Sequence, residues 1–269
     1  MQLEITDEQI AAFSRDGFLV LPDVLDAAEL ETWRAEVCEA VETRLRDGDG
    51  RHNQSDAVDP FYKDVFVQAL NLSRKHPGVR RLVYDPGLGR LAALLAQVAG
   101  VRFWHDQALI KAPYANQTTW HRDTPYWSVS TRKAINFWFA LDDATLENGC
   151  LWYLPGTHLL GDFTHVEIGS NMTDLFRAYP EWKSLRAHPT PCSAGSLVVH
   201  NAMTAHAAGA NMTPNRRRAM TIAYFPDGET YNGRRDTLPG RYYDTLAEGD
   251  LLDDERYVPL IWREDRAET

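Results

Sequence analysis

A histidine and an aspartate stand two residues apart in TTWHRDTPYW, residues 118–127. On a strand, positions i and i+2 share a face. His121 and Asp123 would then present an imidazole and a carboxylate side by side, with Arg122 turned away. These are two of the three ligands of a 2-His-1-carboxylate site, the set that holds Fe(II) and leaves coordination positions open. A second histidine must come from elsewhere in the chain. His206 is the candidate, in HNAMTAHAAGAN directly after the apolar run SLVVH. Arg217 follows at the head of RRAMTIAYF, another strand-like run. An antiparallel neighbour would bring that arginine to the same cavity, where its planar fork can hold a carboxylate with two parallel hydrogen bonds. Singly these features are commonplace. An HxD pair, a distant histidine and a following arginine together are far more specific.

Such a constellation needs strands to carry it. From about Val101 the chain breaks into short β-type runs separated by turn residues: VRFWHDQALIKA, AINFWFALDDA, LWYLP, SLVVHNAM and RAMTIAYF. Strands at this spacing predict an antiparallel sandwich or barrel. Before that point helices dominate. Thr6 can cap a helix over 6–15, and Asp26 one over 26–46, where Leu30, Trp33, Val37, Val41 and Leu45 recur at helical spacing. Between them DGFLVLPDVL reads as a turn into a strand. Residues 63–75 and 86–99 read as helical, the second opening on proline and closing on glycine. Residues 173–185 are the one helical stretch expected within the β region, and the polar, glycine-rich 47–56 reads as a loop. The expected organisation is a single domain over 1–269. Within it, 1–100 form a mostly helical part packing on the barrel, 101–225 a metal-binding β core, and 226–269 a C-terminal lid or tail.

Composition excludes several function classes. The formal net charge is −10 and Arg216 to Arg218 form the only basic cluster, which argues against nucleic acid and against a polybasic membrane anchor. Three widely spaced cysteines make neither a disulfide framework nor a thiolate zinc site. MQLEITDEQIAAF has no apolar signal core, and no run of about 20 apolar residues exists. A cytoplasmic protein is expected. There is no G-x-S-x-G elbow and no P-loop.

The chain resembles the phytanoyl-CoA dioxygenase family of Fe(II)/2-oxoglutarate-dependent oxygenases over about residues 6–225. The resemblance is carried by TDEQIAAFSRDGFLVLPDVLDAAEL, TTWHRDTPYW, NFWFALDDATLENGCLWYLPGTH and GSLVVHNAMTAHAAGANMTPNRRRAM. It implies a mainly β fold with flanking helices, built on a double-stranded β-helix (jelly-roll, cupin-like) core. It implies Fe(II) on His121, Asp123 and His206, with 2-oxoglutarate as co-substrate and O2 as oxidant. Arg217 would grip the co-substrate, with Arg216 or Arg218 in that role if the register slips by one; strand alternation puts both on the opposite face. Trp138 falls at a co-substrate-pocket position, and Thr119 and Lys111 are further candidates for reaching the co-substrate. Asp123 stands where related halogenases carry a small residue, which favours hydroxylation, desaturation or another oxidation.

The expected reaction oxidises a small molecule, most simply by hydroxylation, with release of succinate and CO2, in specialised metabolism. Trp127 and Tyr126 are the candidate substrate-pocket walls, Trp127 preferred because alternation puts it on the ligand face. Residues 159–190 and the tail from Asp227 are expected over the barrel mouth, where Arg132, Arg177, Arg234 and Arg235 could meet an acidic substrate. No compact basic pocket marks a CoA site. Two alternatives stand beside this reading: another cupin-like metal enzyme, an isomerase or hydrolase, and a non-catalytic binding module that keeps the triad.

Overall fold

The computed structural model describes residues 1–47, 65 and 67–264. Two antiparallel sheets face one another. The major sheet runs β1(Phe18–Leu21), β8(Leu197–Asn201), β5(Ile135–Ala140), β10(Arg217–Pro226), β3(Gly100–Lys111), β11(Leu260–Arg263), with β2(Val67–Leu70) also paired to β3. The minor sheet runs β4(Thr118–His121), β9(His206–Ala208), β6(Leu151–Tyr153), β7(His188–Thr190). This is the mainly β, jelly-roll architecture with flanking helices that the sequence predicts.

Alternation on the major sheet assigns the two faces. Phe137, Phe139, Leu197, Val199, Met220 and Ile222 point outward into one large apolar cluster. Against them pack α1(Asp7–Asp16), α2(Ala27–Arg46), α3(Pro77–Val83) and α4(Pro86–Ala96), through residues such as Phe13, Trp33, Val79 and Leu91. Trp33 lies on Phe139 with ring centroids 4.3 Å apart. Truncating a buried tryptophan like this costs about 3–5 kcal/mol. The partners of those outward residues on the same strands, Asn136, Trp138, His200, Arg217 and Thr221, face inward and line the cavity between the sheets.

The first two helices begin where the sequence places them. Thr6 and Asp26 each form a reciprocal capping box with the residue three positions on, Gln9 and Glu29. Residues 63–75 are different. The expected helix is replaced by strand β2 and a single 3-10 turn, Leu72–Arg74, within the described residues. The far half of β3 has an unpaired edge there, and pairing from Val67↔Ile110 to Leu70↔Gln107 covers it. Buried Asp106 then fixes the turn, accepting from the backbone N–H groups of Leu72 and Ser73 and from the Ser73 hydroxyl. An available sheet edge has outweighed local helical preference. The helix expected over 173–185 splits into α5(Leu175–Ala178) and a 3-10 turn, Pro180–Ser184, because Pro180 cannot continue the amide ladder. The 47–56 loop lies outside the described residues from 48 onward.

The C-terminal segment does more than cover the barrel. β11 pairs with Gly100 to Arg102, so it shares the outer edge of β3 with β2. Among the described residues no helix is long and apolar enough to cross a membrane.

Candidate metal centre and co-substrate pocket

A cavity of about 600 Å³ opens between the two sheets. At one point in it, ligand atoms of His121, Asp123 and His206 all lie within 4.8 Å of one another. His121 Nε2 and His206 Nε2 are each 3.7 Å from Asp123 Oδ1. β4 and β9 set the two histidines opposite each other across the ladder. Strand alternation, however, does not bring Asp123 there. β4 ends at His121, and Asp123 has helical backbone angles (φ −81°, ψ −51°) at the head of the 3-10 turn Thr124–Tyr126. Its backbone N–H donates to Ala202 O at 2.8 Å, which folds the chain so that the carboxylate meets both imidazoles.

The hydrogen bonds around the cluster leave one lone pair per ligand directed inward. His121 Nδ1 is 2.8 Å from Thr119 O, and His206 Nδ1 is 3.0 Å from Thr204 O. A carbonyl oxygen only accepts, so both Nδ1 atoms carry hydrogen and both Nε2 atoms are free to ligate. Burial, then the neighbouring His206, depresses the pKa of His121 to about 4; burial does the same for His206, also to about 4. Both rings are therefore neutral at pH 7. Burial alone would raise the Asp123 carboxyl, but His206, His200 and His121 outweigh it and hold the group well below the usual carboxylate range. Asp123 Oδ2 accepts from Asn136 Nδ2 and His200 Nε2, each at 3.0 Å, and His200 Nδ1 accepts from Tyr153 Oη at 3.0 Å. Asp123 Oδ1 is left for a metal. This donor set fits Fe(II) of the facial-triad type. Removing a group that orients a ligand typically costs 10–100-fold in metal affinity. His200→Ala or Asn136→Ala should weaken Fe(II) binding by about that factor with the chain still folded. Unchanged affinity in a competition titration against a chelator would remove both from the supporting network.

Arg217 lines the same cavity and is 3% exposed. Its guanidinium lies 5.1 Å from the centre of the Trp138 ring, and Nη2 donates to Gly149 O at 3.1 Å. Nε and Nη1 are buried without a hydrogen-bond partner. Burial pulls its pKa down to about 10, so the group stays charged. A buried guanidinium with two orphaned donors is costly unless an anion completes it. A carboxylate of 2-oxoglutarate fits that role. Alternation along β10 separates it from its neighbours: Arg216 is exposed, and Arg218 turns outward to make a bidentate pair with Asp142.

Two expected co-substrate contacts move. Thr119 does not line the cavity; Thr118 does. The β4–β9 register shifts by one residue between Thr118 and His121, so the bulge puts those two on one face in place of Thr119 and His121. Lys111 is fully buried but not part of the lining. Its Nζ donates to Asn116 O at 2.6 Å, beside Arg217 in cross-strand register. Burial, then the charge of Arg217, brings Lys111 down to about 7.

Both expected substrate walls, Trp127 and Tyr126, line the cavity. The alternation that would have turned Tyr126 away fails because residues 124–126 form a 3-10 turn. Trp120 packs elsewhere, against Phe176 and the cluster around Leu154 and Trp182. His165, Glu167 to Ser170 and Asp236–Thr237 complete the wall, from the two segments expected over the mouth. None of Arg132, Arg177, Arg234 and Arg235 lines it. Arg132 donates to the His158 carbonyl, Arg177 pairs with Asp174, Arg235 with Asp244, and Arg234 meets His165. Sequence reasoning did not single out Asn136, Tyr153, His105 or Asp236. A polar residue at an inward position of an otherwise apolar strand, as in INFWFA, was the available signal for Asn136.

The family model for phytanoyl-CoA dioxygenase (PhyH) matches residues 13–219. Phytanoyl-CoA dioxygenase 1 of Oryza sativa is 24% identical over 247 residues, covering 81% of this chain and 88% of the relative. Two solved structures from nogalamycin biosynthesis are similar. The non-heme alpha ketoglutarate dependent carbocyclase SnoK has a TM-score of 0.79 at 27% identity, covering 96% of each chain. The epimerase SnoN, solved with Fe3+, alpha ketoglutarate and nogalamycin RO, has a TM-score of 0.75 at 27% identity, covering 95% of this chain and 98% of its own.

Proposed function

We propose, for a chain that belongs to the phytanoyl-CoA dioxygenase family and is a non-haem iron, 2-oxoglutarate-dependent dioxygenase, the hydroxylation of a small molecule of specialised metabolism. His121, Asp123 and His206 are the proposed Fe(II) ligands, and Arg217 the proposed anchor for the far carboxylate of 2-oxoglutarate. The observation that carries the reading is the pairing, in one cavity, of a His/Asp/His cluster with both Nε2 atoms free and a buried arginine with unpartnered donors.

Bound iron supplies the activation of O2, coupled to decarboxylation of 2-oxoglutarate to succinate and CO2 and to oxidation of a substrate C–H bond. The chain's own residues arrange for that chemistry. Asn136 and His200 hold one carboxylate oxygen of Asp123 so that the other faces the ligand cluster. The Trp138 ring lies against the Arg217 guanidinium, a cation–π contact that helps hold it in place. Leu109, Leu151, Trp127 and Trp138 give the cavity an apolar wall beside its polar groups.

A second reading is supported by the two structural neighbours, described as a carbocyclase and an epimerase. Ring closure or epimerisation would use the same iron and co-substrate. Anaerobic titration with Fe(II) and 2-oxoglutarate should produce a weak visible charge-transfer band, and oxygen should then yield succinate. Iron binding with neither band nor succinate would favour another cupin-like metal enzyme; ligand binding with no iron at all would favour a non-catalytic module. Product mass separates the oxidations: a gained oxygen atom for hydroxylation, two lost hydrogens for ring closure, no change for epimerisation.

A further inference from the structure

The cavity is sharply asymmetric in charge. Among the described residues that line it, Arg217 is the single lysine or arginine, whereas Asp123, Glu167, Asp174 and Asp236 contribute carboxylates. Asp123 is held within the metal cluster, and Asp174 pairs with Arg177 at 2.8 Å. Glu167 is exposed and makes no ion pair among the described residues.

Asp236 is the unusual one. Its Oδ2 is buried with no hydrogen-bond partner. Its backbone N–H donates to Tyr243 Oη at 2.9 Å, which fixes this loop against the barrel. His105 Nδ1 and Thr237 Oγ1, both in the cavity lining, are likewise buried and unpartnered. The Trp104 indole N–H, which is not part of the cavity lining, favours the ionised form of Asp236 as a hydrogen-bond donor. Orphaned polar atoms are rare in native interiors, and three on residues of one cavity lining call for a ligand. Burial raises the Asp236 carboxyl to about 7, by more than the Thr237 backbone, the Trp104 indole and Arg234 offset. A hydroxyl group on a ligand would fill the hydrogen bond and leave the charge. An ammonium group answers both.

We propose that the substrate end of this cavity takes a small molecule bearing a protonated amine, received by Asp236 with Thr237 beside it, and rejects anionic substrates such as acyl-CoA thioesters. The inference rests on the oxygenase reading above in calling this the substrate end. Asp236 is on this view a specificity residue with no part in the chemistry.

The test is equilibrium binding of cyclohexylammonium, cyclohexanol and cyclohexanecarboxylate to the full chain. It is run metal-free and again with Fe(II) and 2-oxoglutarate under nitrogen. One charge-assisted hydrogen bond predicts that the ammonium binds about 10-fold or more tighter than the alcohol, with the carboxylate weakest. Asp236→Asn should bring ammonium and alcohol to within about 3-fold, and Asp236→Glu should keep the preference. Asp236→Asn should also hold or raise the melting temperature, by about 2 °C or more, because it relieves a buried charge kept for a ligand. Equal or better binding of the alcohol or carboxylate to the unaltered chain overturns the proposal. So does an ammonium preference that survives in Asp236→Asn, or a lowered melting temperature with the binding order unchanged. Loss of the 2-oxoglutarate band in the same samples would sink the co-substrate assignment alone, since the binding order is read without turnover.

Discussion

His121→Ala and His206→Ala each reduce Fe(II) retention and succinate release to background, while the chain keeps its fold. Each histidine supplies one neutral Nε2, and each is oriented by a backbone carbonyl, Thr119 O or Thr204 O. Losing either leaves a His/Asp pair, which retains too few donors to hold a divalent iron against water. Iron content after desalting and succinate by mass spectrometry read the two effects separately. Full activity in either variant would falsify the ligand assignment.

Arg217→Ala raises the 2-oxoglutarate concentration needed for half-maximal succinate release by about 100-fold or more. Two charge-assisted hydrogen bonds from a buried guanidinium are worth roughly 1.5–3 kcal/mol each, and their joint loss corresponds to that factor. Iron binding should be unaffected, because no triad atom bonds to Arg217. Lysine should rescue poorly. It cannot reproduce the planar fork or the stack on Trp138 at 5.1 Å. An unchanged co-substrate requirement in Arg217→Ala would move the anchor to another cation, with Lys111 the nearest buried alternative in register.

The residues of the site were more legible in the chain than the path by which they meet. Ligand chemistry depends on residue type, so His121, Asp123, His206 and Arg217 could be singled out from HxD, a distant histidine and a following arginine. The resemblance pointed to Arg217, and strand parity set it apart from Arg218, because β10 keeps its register with β3 from Arg217 to Ala223 and a strand has only two faces. The same rule failed at β4, where a bulge exchanged Thr119 for Thr118 and a 3-10 turn carried Asp123 and Tyr126 round to the cavity. Local periodicity encodes a face. It does not encode a bulge, which arises from how β4 must pair with β9, a strand about 85 positions away in the chain.

Residues 67–70 became a strand only because β3 offered an edge. Asn136 and His200 became supports of Asp123 only because β5 and β8 lie side by side, in register at those two positions. Asp236 acquired its isolation from the fold of a loop that no pattern in the sequence marks. Cross-strand partners, burial depth and missing hydrogen-bond partners are properties of distant segments brought together, and they come into being with the tertiary structure.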